Sequence, residues 1–394
     1  MNPEINPFSP GAGSPPPELV GRDSLLEDAR VLLVRTKRGR SEKSMLLTGL
    51  RGVGKTVLLN KIREIAVAEG YLTLHIEAHE NKPLGPLLAA QLRPLIFELD
   101  RMNGVGHLAK RALGVLRSFI SAIKVEVGGV TIGLDIEPLE GAADSGDIEV
   151  DLPNLIEAVG EAARERGAAL GLFIDEVQYF NQRELGALIM AMHRVQQLGL
   201  PVVLLGAGLP ILPALAGESK SYAERLFAFP DIGALSGEDS HRALQEPAVR
   251  SGARFESQAL IDIFALTNGY PYFIQEWGYQ CWKHAVDPLI TPAVVATATT
   301  YVTVRLDANF FRVRFDRLTP SEKHFMRAMA DLGPEQQRIS SIAKKLTRQV
   351  RSLGPTRANL ISKGMIYSPA HGDLAFTVPL FDQFMLRAMP NLDP

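Results

Sequence analysis

Gly49-Leu50-Arg51-Gly52-Val53-Gly54-Lys55-Thr56 lies between the apolar run Met45-Leu46-Leu47 and a helical pattern from about Thr56 to Glu69. The spacing is GxxxxGK[ST]. Glycines let the backbone curl so that successive N–H groups turn toward phosphate oxygens, and the N-terminus of the following helix adds a favourable dipole. Lys55 then reaches the β- and γ-phosphates, and the Thr56 hydroxyl takes a coordination position on Mg²⁺. Arg51, Gly52, Val53 and Val57 complete the expected cradle. On residue frequencies the pattern arises by accident in about one chain in a hundred, so context decides. A buried strand before it and a helix after it supply that context. A second strand, Leu72 to Ile76, completes a strand–helix–strand start, as a parallel sheet with helices on both faces requires.

The other half of the site is LGLFIDEVQYF, residues 170–180. A buried strand ending in Asp175-Glu176 delivers two carboxylates to the carboxyl edge of a parallel sheet, where ligands of such sheets bind. Asp175 would hold Mg²⁺ through water, and Glu176 would orient and polarise the attacking water. Alone, Asp-Glu after an apolar run is equally the solvated end of a strand. Two halves of one site in the expected order make coincidence a poor explanation.

With both halves the chain resembles the AAA+ superfamily, and within it the STAND and archaeal-type ATPases related to replication initiators. The resemblance implies an α/β P-loop NTPase core with a parallel sheet, a helical lid and a C-terminal winged-helix domain. It also implies ATP, Mg²⁺ and a slow ATPase acting as a switch. Leu19-Val20-Gly21-Arg22-Asp23 is similar to the family's adenine-cradling motif; the other reading is a turn with a helix cap at Asp23 or Ser24. Val20, Gly21 and Arg22 are therefore expected nucleotide contacts. Gly206-Ala207-Gly208 stands where many relatives carry a polar sensor, which implies slow hydrolysis. In SYAERLF, Arg225 matches an arginine that completes a neighbour's site in the family; a surface arginine paired with Glu224 is the alternative. The first reading brings a homo-oligomer with it. Gly269-Tyr270-Pro271 resembles the Gly-x-Pro signature of STAND ATPases, which couples lid to adenine; a helix starting with Pro satisfies the same residues. No arginine matches the one most relatives carry in the lid. Adenine rather than guanine follows from the family, since no Asn-Lys-x-Asp motif is present.

Composition fits this reading. The 394 residues allow two or three domains, and the formal net charge of −2 restricts any nucleic-acid contact to a local patch. The one cysteine, Cys281, excludes an intramolecular disulfide and a cysteine zinc site. No signal peptide and no apolar run of membrane-spanning length are seen, so the expected compartment is cytoplasmic, with no membrane partner.

The expected organisation is a flexible Pro/Gly/Ser-rich arm over 1–17, the ATPase core over 18–232, a helical lid over 233–300 and a winged helix over 312–394. Within the core, 124–136 reads as a β-hairpin and the acidic stretch behind it, to Asp151, as a solvated insertion; a partner or oligomer contact is the alternative. The C-terminal region reads helix, helix, helix, hairpin, with Thr319 as a cap and His371-Gly372-Asp373 at the tip of a wing. Over 312–394 there are 13 Lys and Arg against 7 Asp and Glu, a surplus of 6. Arg338, Lys344, Lys345, Arg348, Arg351, Arg357 and Lys363 fall in a window without an acid. Such a window attracts phosphates, and Thr356, Arg357 and Asn359 suit base edges, so Lys344, Lys345, Arg348, Arg351, Thr356, Arg357 and Asn359 are the expected contacts to double-stranded DNA. A winged helix also serves as a protein-contact module. The function expected is thus a DNA-acting ATPase switch, with a signalling or defence scaffold contacting a partner protein as the alternative. A metabolic kinase is a distant third, for want of a second substrate site.

Overall fold

The structure, a computed structural model, describes every residue except 12–14, 41, 103–106, 123–136, 371 and 393–394. The hairpin expected over 124–136 lies outside the described residues. Two compact units divide the chain: one holds Asp23–Gly49 and Lys55–Asp231, the other Met1–Arg22, Leu50–Gly54 and Ile232–Pro394.

The first unit is a five-stranded sheet with helices. Its elements are α1 (Asp23–Lys37), β1 (Ser44–Thr48), α2 (Lys55–Ala68), β2 (Tyr71–Glu77), α3 (Leu84–Arg101), α4 (Leu108–Ala122), α5 (Ile148–Glu165), β3 (Ala169–Asp175), α6 (Gln182–Gln197), β4 (Val202–Gly208), α7 (Leu212–Ser219), α8 (Ala223–Leu226) and β5 (Phe227–Ala228). Strand order is β2-β3-β4-β1-β5, and every pairing is parallel. The three central strands β3, β4 and β1 are buried along their whole length, which is why they read as apolar runs without alternation. The edge strand β2 mixes buried and half-buried positions. Thr48 pairs with Gly208, and Glu77 with Asp175, so the carboxyl ends of the strands form one edge. Ligands of open parallel sheets bind at that edge.

Beside the sheet, Leu88, Leu92, Phe119, Leu155, Ile156 and Leu188 from α3 to α6 share its core. The acidic stretch, expected to be solvated, is built into the fold at its carboxyl end. Asp147 caps α5 through the Glu149 N–H, starting that helix at Ile148, inside the acidic stretch. Asp151 is 1% exposed and accepts from Ser145 Oγ at 2.8 Å and Gly146 N at 2.9 Å. Glu149 pairs with Lys220, and Asp147 with Arg183. Acids at a helix N-terminus stabilise it through its dipole, so this placement has a physical reason.

The second unit contains α9 (Gly237–Arg250), β6 (Arg254–Phe255), α10 (Ser257–Thr267), α11 (Pro271–His284), β7 (Leu289–Ile290), α12 (Pro292–Leu306), a π-helical turn (Asp307–Phe311), α13 (Arg312–Phe315), α14 (Pro320–Leu332), β8 (Gln337–Arg338), α15 (Ile339–Lys345), α16 (Gly354–Ser362), β9 (Ile366–Tyr367), β10 (Asp373–Phe376) and α17 (Phe381–Ala388). The Thr319–Glu322 capping box opens α14 as expected. The hairpin partners β9 and β10 are antiparallel; β8 extends their sheet, and β8 and α17 have no counterpart in the sequence reading. The boundaries drawn at 233–300 and 312–394 fall inside this one unit. An aromatic chain joins them: Tyr272 stacks on Phe310 at 4.8 Å, Phe310 meets Phe311 edge-on, and Phe311 stacks on Phe384 of α17 at 5.3 Å.

The arm expected to be flexible is docked in its described residues before Pro10. Phe8 is 2% exposed and packs edge-on to Phe255 at 6.1 Å. Asn6 Nδ2 donates to Tyr279 O at 3.2 Å, and Trp282 Nε1 donates to Asn2 O at 2.8 Å. One buried aromatic ring outweighs the Pro/Gly/Ser composition. Cys281 is buried, and burial pushes its thiol up to about 12, out of reach of ordinary thiolate chemistry. Among the described residues no helix is long and apolar enough to cross a membrane.

Candidate functional site

Gly49 follows β1 and Lys55 opens α2, so the two ends of the glycine-rich loop are set by rigid elements. Lys55 is 7% exposed, and its ammonium donates to Gly49 O at 2.9 Å. A buried ammonium is retained only where acceptors compensate its lost hydration. Thr56 Oγ1 donates to Asp175 Oδ2 at 2.6 Å, and the other carboxylate oxygen accepts from Glu176 N at 2.9 Å. Burial pushes the Asp175 carboxyl above its ordinary range; the Thr56 hydroxyl pulls against this, and the adjacent Glu176 charge adds to it. A buried acid of this kind is poised to gain from a cation. The Thr56 hydroxyl and Asp175 carboxylate are hard oxygen donors, and they suit Mg²⁺, which takes one or two protein ligands and fills its octahedron with phosphate oxygens and water.

Glu176 follows at φ 55, a left-handed conformation that costs a non-glycine residue about 1–2 kcal/mol. Outliers of this sort cluster at functional sites. Its carboxylate accepts from Gln178 Nε2, and Gln178 Oε1 accepts from Leu209 N at 3.1 Å. Gln178 was not among the expected site residues. Its signal was available: a glutamine two places after Glu176, and a strand end, Gly208, without a side chain.

In the second unit, the loop residues Leu50–Gly54 include two glycines at positive φ, Gly52 at 87° and Gly54 at 93°, the curl the phosphate cradle needs. Val53 is buried. The Tyr270 hydroxyl donates to Arg51 O, and Tyr272 N donates to Gly52 O at 3.3 Å. Gly269 sits at φ 73, and a Cβ there would lie 2.2 Å from Leu235 O, so only glycine fits. Pro271 is the first residue of α11. Val20 is buried, Gly21 lies against the Asp239 carboxylate, and Arg22 donates to Gly233 O. The expected adenine motif and Gly-Tyr-Pro motif thus converge on the stretch 233–239 that leads into α9.

Arg314 is a second residue the sequence reading missed. Its guanidinium lies over the Phe310 ring at 4.1 Å. Burial pulls it down to about 10, and the nearby Arg51 charge adds to the effect. Only the fold brings a residue 263 positions downstream beside the loop, so spacing carried no signal.

Arg225 is exposed on α8, immediately before β5, whose Phe227 pairs with Ser44 at the amino end of β1. It therefore lies at the opposite edge of the sheet from Asp175. Among the described residues it forms no ion pair, with Glu224 or otherwise. In the C-terminal region Lys344, Arg348, Arg351 and Asn359 are exposed. Acids from outside the window neutralise three of its cations: Arg338 pairs with Asp373, Lys345 with Asp331 and Lys363 with Glu322. Arg357 is half-buried and donates to Ser368 Oγ, and Thr356 is half-buried beside Ser321. The basic surface is therefore narrower than the sequence suggests.

Sheet order, glycine-rich loop and a carboxylate pair at the end of β3, with β4 between it and β1, define a P-loop NTPase core of the AAA+ type. Residues 18–205 match the family described as AAA ATPase domain. Residues 308–385 match a family described as Domain of unknown function (DUF8462). Among curated proteins, none matches the sequence. Solved structures that resemble the chain include the Walker-type ATPase PABY2304 of Pyrococcus abyssi, at 15% identity and TM-score 0.56 over 91% of this chain and 95% of that one. Cdc6p of Pyrobaculum aerophilum follows at 15% identity and TM-score 0.47, covering 98% and 97% of the two chains. The Orc1 protein of Aeropyrum pernix, solved in complex with DNA, has 15% identity and TM-score 0.46, covering 95% and 94%. At 15% identity the likeness to the Pyrococcus abyssi ATPase is one of fold.

Proposed function

We propose that the protein binds ATP with Mg²⁺, hydrolyses it slowly, and uses the change of nucleotide as a switch of the AAA+/STAND kind acting on double-stranded DNA. The observation that carries the nucleotide half is the Thr56–Asp175 hydrogen bond at 2.6 Å beside the buried Lys55. Thr56 and Asp175 would hold the Mg²⁺, which neutralises charge on the phosphate oxygens when bound. Lys55 gives up Gly49 O for the phosphates, Glu176 orients the water, and the low dielectric around these buried groups strengthens each contact. Two cations of the second unit, Arg51 and Arg314, feel each other's charge, which favours an anion near them. The sequence Gly206-Ala207-Gly208 at the end of β4 supports slow turnover.

The DNA half rests on the C-terminal region, read as a winged helix from its three helices and antiparallel strands α14, α15, α16, β9 and β10. Lys344, Arg348 and Arg351 remain exposed there. The second reading, a signalling or defence scaffold whose C-terminal domain binds protein, draws on the ion pairs that neutralise Arg338, Lys345 and Lys363. Arg225, at the edge away from its own phosphate site, is the residue we assign to a neighbouring copy's nucleotide in a homo-oligomer.

Binding of fluorescent duplex DNA at two salt concentrations, with ATP, ADP or no nucleotide, tests this reading. Salt-sensitive binding that depends on the nucleotide is the result expected. No binding in any state would remove the DNA half and favour the protein scaffold.

A further inference from the structure

Relatives of this class often carry a polar side chain at the end of the fourth strand, where this chain has Gly206-Ala207-Gly208. The structure puts a side-chain amide in that space from another element. Gln178 follows β3 in a short helical turn, Val177–Tyr179, and its Oε1 accepts from Leu209 N at 3.1 Å, just beyond β4. A Cβ on Gly208 would stand 2.7 Å from that same Oε1. A side chain at 208 would therefore overlap the Gln178 amide.

The orientation of the amide follows from chemistry. A backbone N–H only donates, so the atom facing Leu209 N is the carbonyl oxygen, and the NH₂ end must point the other way. There it donates to Glu176 Oε2. One side chain thus ties the Glu176 carboxylate to the end of β4, with both ends of the amide used. The Glu176 backbone is in the left-handed region, and the amide is one of the contacts that restrict its side chain.

We infer that Gln178 is a positioning residue for hydrolysis. It holds the Glu176 carboxylate in the orientation that serves the attacking water, in place of a polar side chain on β4. The inference rests on Glu176 having the role given under Proposed function. Gln178 touches neither nucleotide nor water in this account; it acts through Glu176. Removing it should lower kcat and leave nucleotide binding intact.

The experiment measures kcat and KM for ATP, and the Kd of a fluorescent ATP analogue, in the full chain. It compares wild type, Gln178→Ala, the double variant Gln178→Ala/Gly208→Asn, and Glu176→Gln. With the Gln178 amide gone, the nearest obstacle to a side chain at 208 is Leu212 Cδ2 at 3.0 Å, the end of a flexible side chain. An amide from β4 then has room. For Gln178→Ala the expected result is a kcat reduced by about tenfold to a hundredfold, the scale of a misplaced reacting group, with KM and Kd within about twofold. The double variant should recover most of the lost kcat, which a purely structural role of Gln178 would not allow.

A folded Gln178→Ala protein with wild-type kcat, beside an inactive Glu176→Gln, would overturn the inference and spare the Glu176 reading. An active Glu176→Gln would overturn both. A fall in kcat matched by an equal fall in analogue affinity, or a double variant no better than the single, would also overturn it. Should Gln178→Ala fail to fold, Gln178→Met keeps the side-chain length without the amide and is read in the same way.

Discussion

The Thr56 hydroxyl and the Asp175 carboxylate, 119 residues apart in sequence, meet at 2.6 Å. The contact closes the two halves of the site and leaves Asp175 5% exposed. Burial raises the Asp175 carboxyl above 3.8, its value in the unfolded chain. Folding therefore favours the protonated acid, and at neutral pH keeping it ionised costs stability. As pH falls through the raised folded-state value that cost shrinks, and below 3.8 it is gone, because both states then bind the proton. Asp175→Asn can keep both contacts, accepting from Glu176 N and donating to the Thr56 hydroxyl. The nucleotide-free variant should melt higher than wild type at pH 7, by a margin that narrows in acid, while Mg²⁺-dependent hydrolysis is lost. A variant that melts lower at pH 7 would contradict this.

Lys55→Ala removes the one ammonium set against Gly49 O at the mouth of α2. Fluorescent ATP-analogue titration should show affinity weakened by about a hundredfold, as expected when a buried charge-assisted contact to phosphate is lost. Thermal melting without nucleotide should change little or rise, since a buried charge has been removed.

Gly269→Ala places a methyl where Leu235 O allows none, at a φ that alanine resists. A loss of more than about 3 kcal/mol is expected, from strain and backbone overlap together. Chemical denaturation reads it directly, and wild-type stability would show that the stretch 233–239 can move aside.

Charge reversal should separate the two kinds of basic residue in the C-terminal region. Arg348→Glu with Arg351→Glu alters exposed side chains, and should weaken duplex DNA binding and flatten its salt dependence with little change in melting temperature. Lys363→Glu instead faces Glu322, whose side chain is 3% exposed, across what was a 2.7 Å ion pair. It should destabilise the fold by about 3 kcal/mol or more, since a buried carboxylate loses its partner. Equal effects of the two changes on melting would contradict the division.

The core was legible because its signals are local. Met45-Leu46-Leu47, GLRGVGKT and LGLFIDE each combine an apolar run with chemistry at its end, and parallel strands buried on both faces read that way wherever they occur. What escaped depends on contacts between distant residues. Phe8 docks an arm whose composition promised flexibility, Asp151 is buried in a stretch that looked merely acidic, and Asp331 and Glu322 neutralise a window that looked wholly basic. Arg314 acquires its place from the fold alone, whereas Gln178 stands two places after Glu176 in the sequence.

The measurement that bears most directly on the nucleotide account is ATP hydrolysis by Glu176→Gln beside wild type, with analogue affinity measured on the same preparations. The account predicts unchanged affinity and turnover reduced by about a hundredfold or more, since the carboxylate that orients the water has become an amide. Equal hydrolysis rates for the two proteins would contradict it.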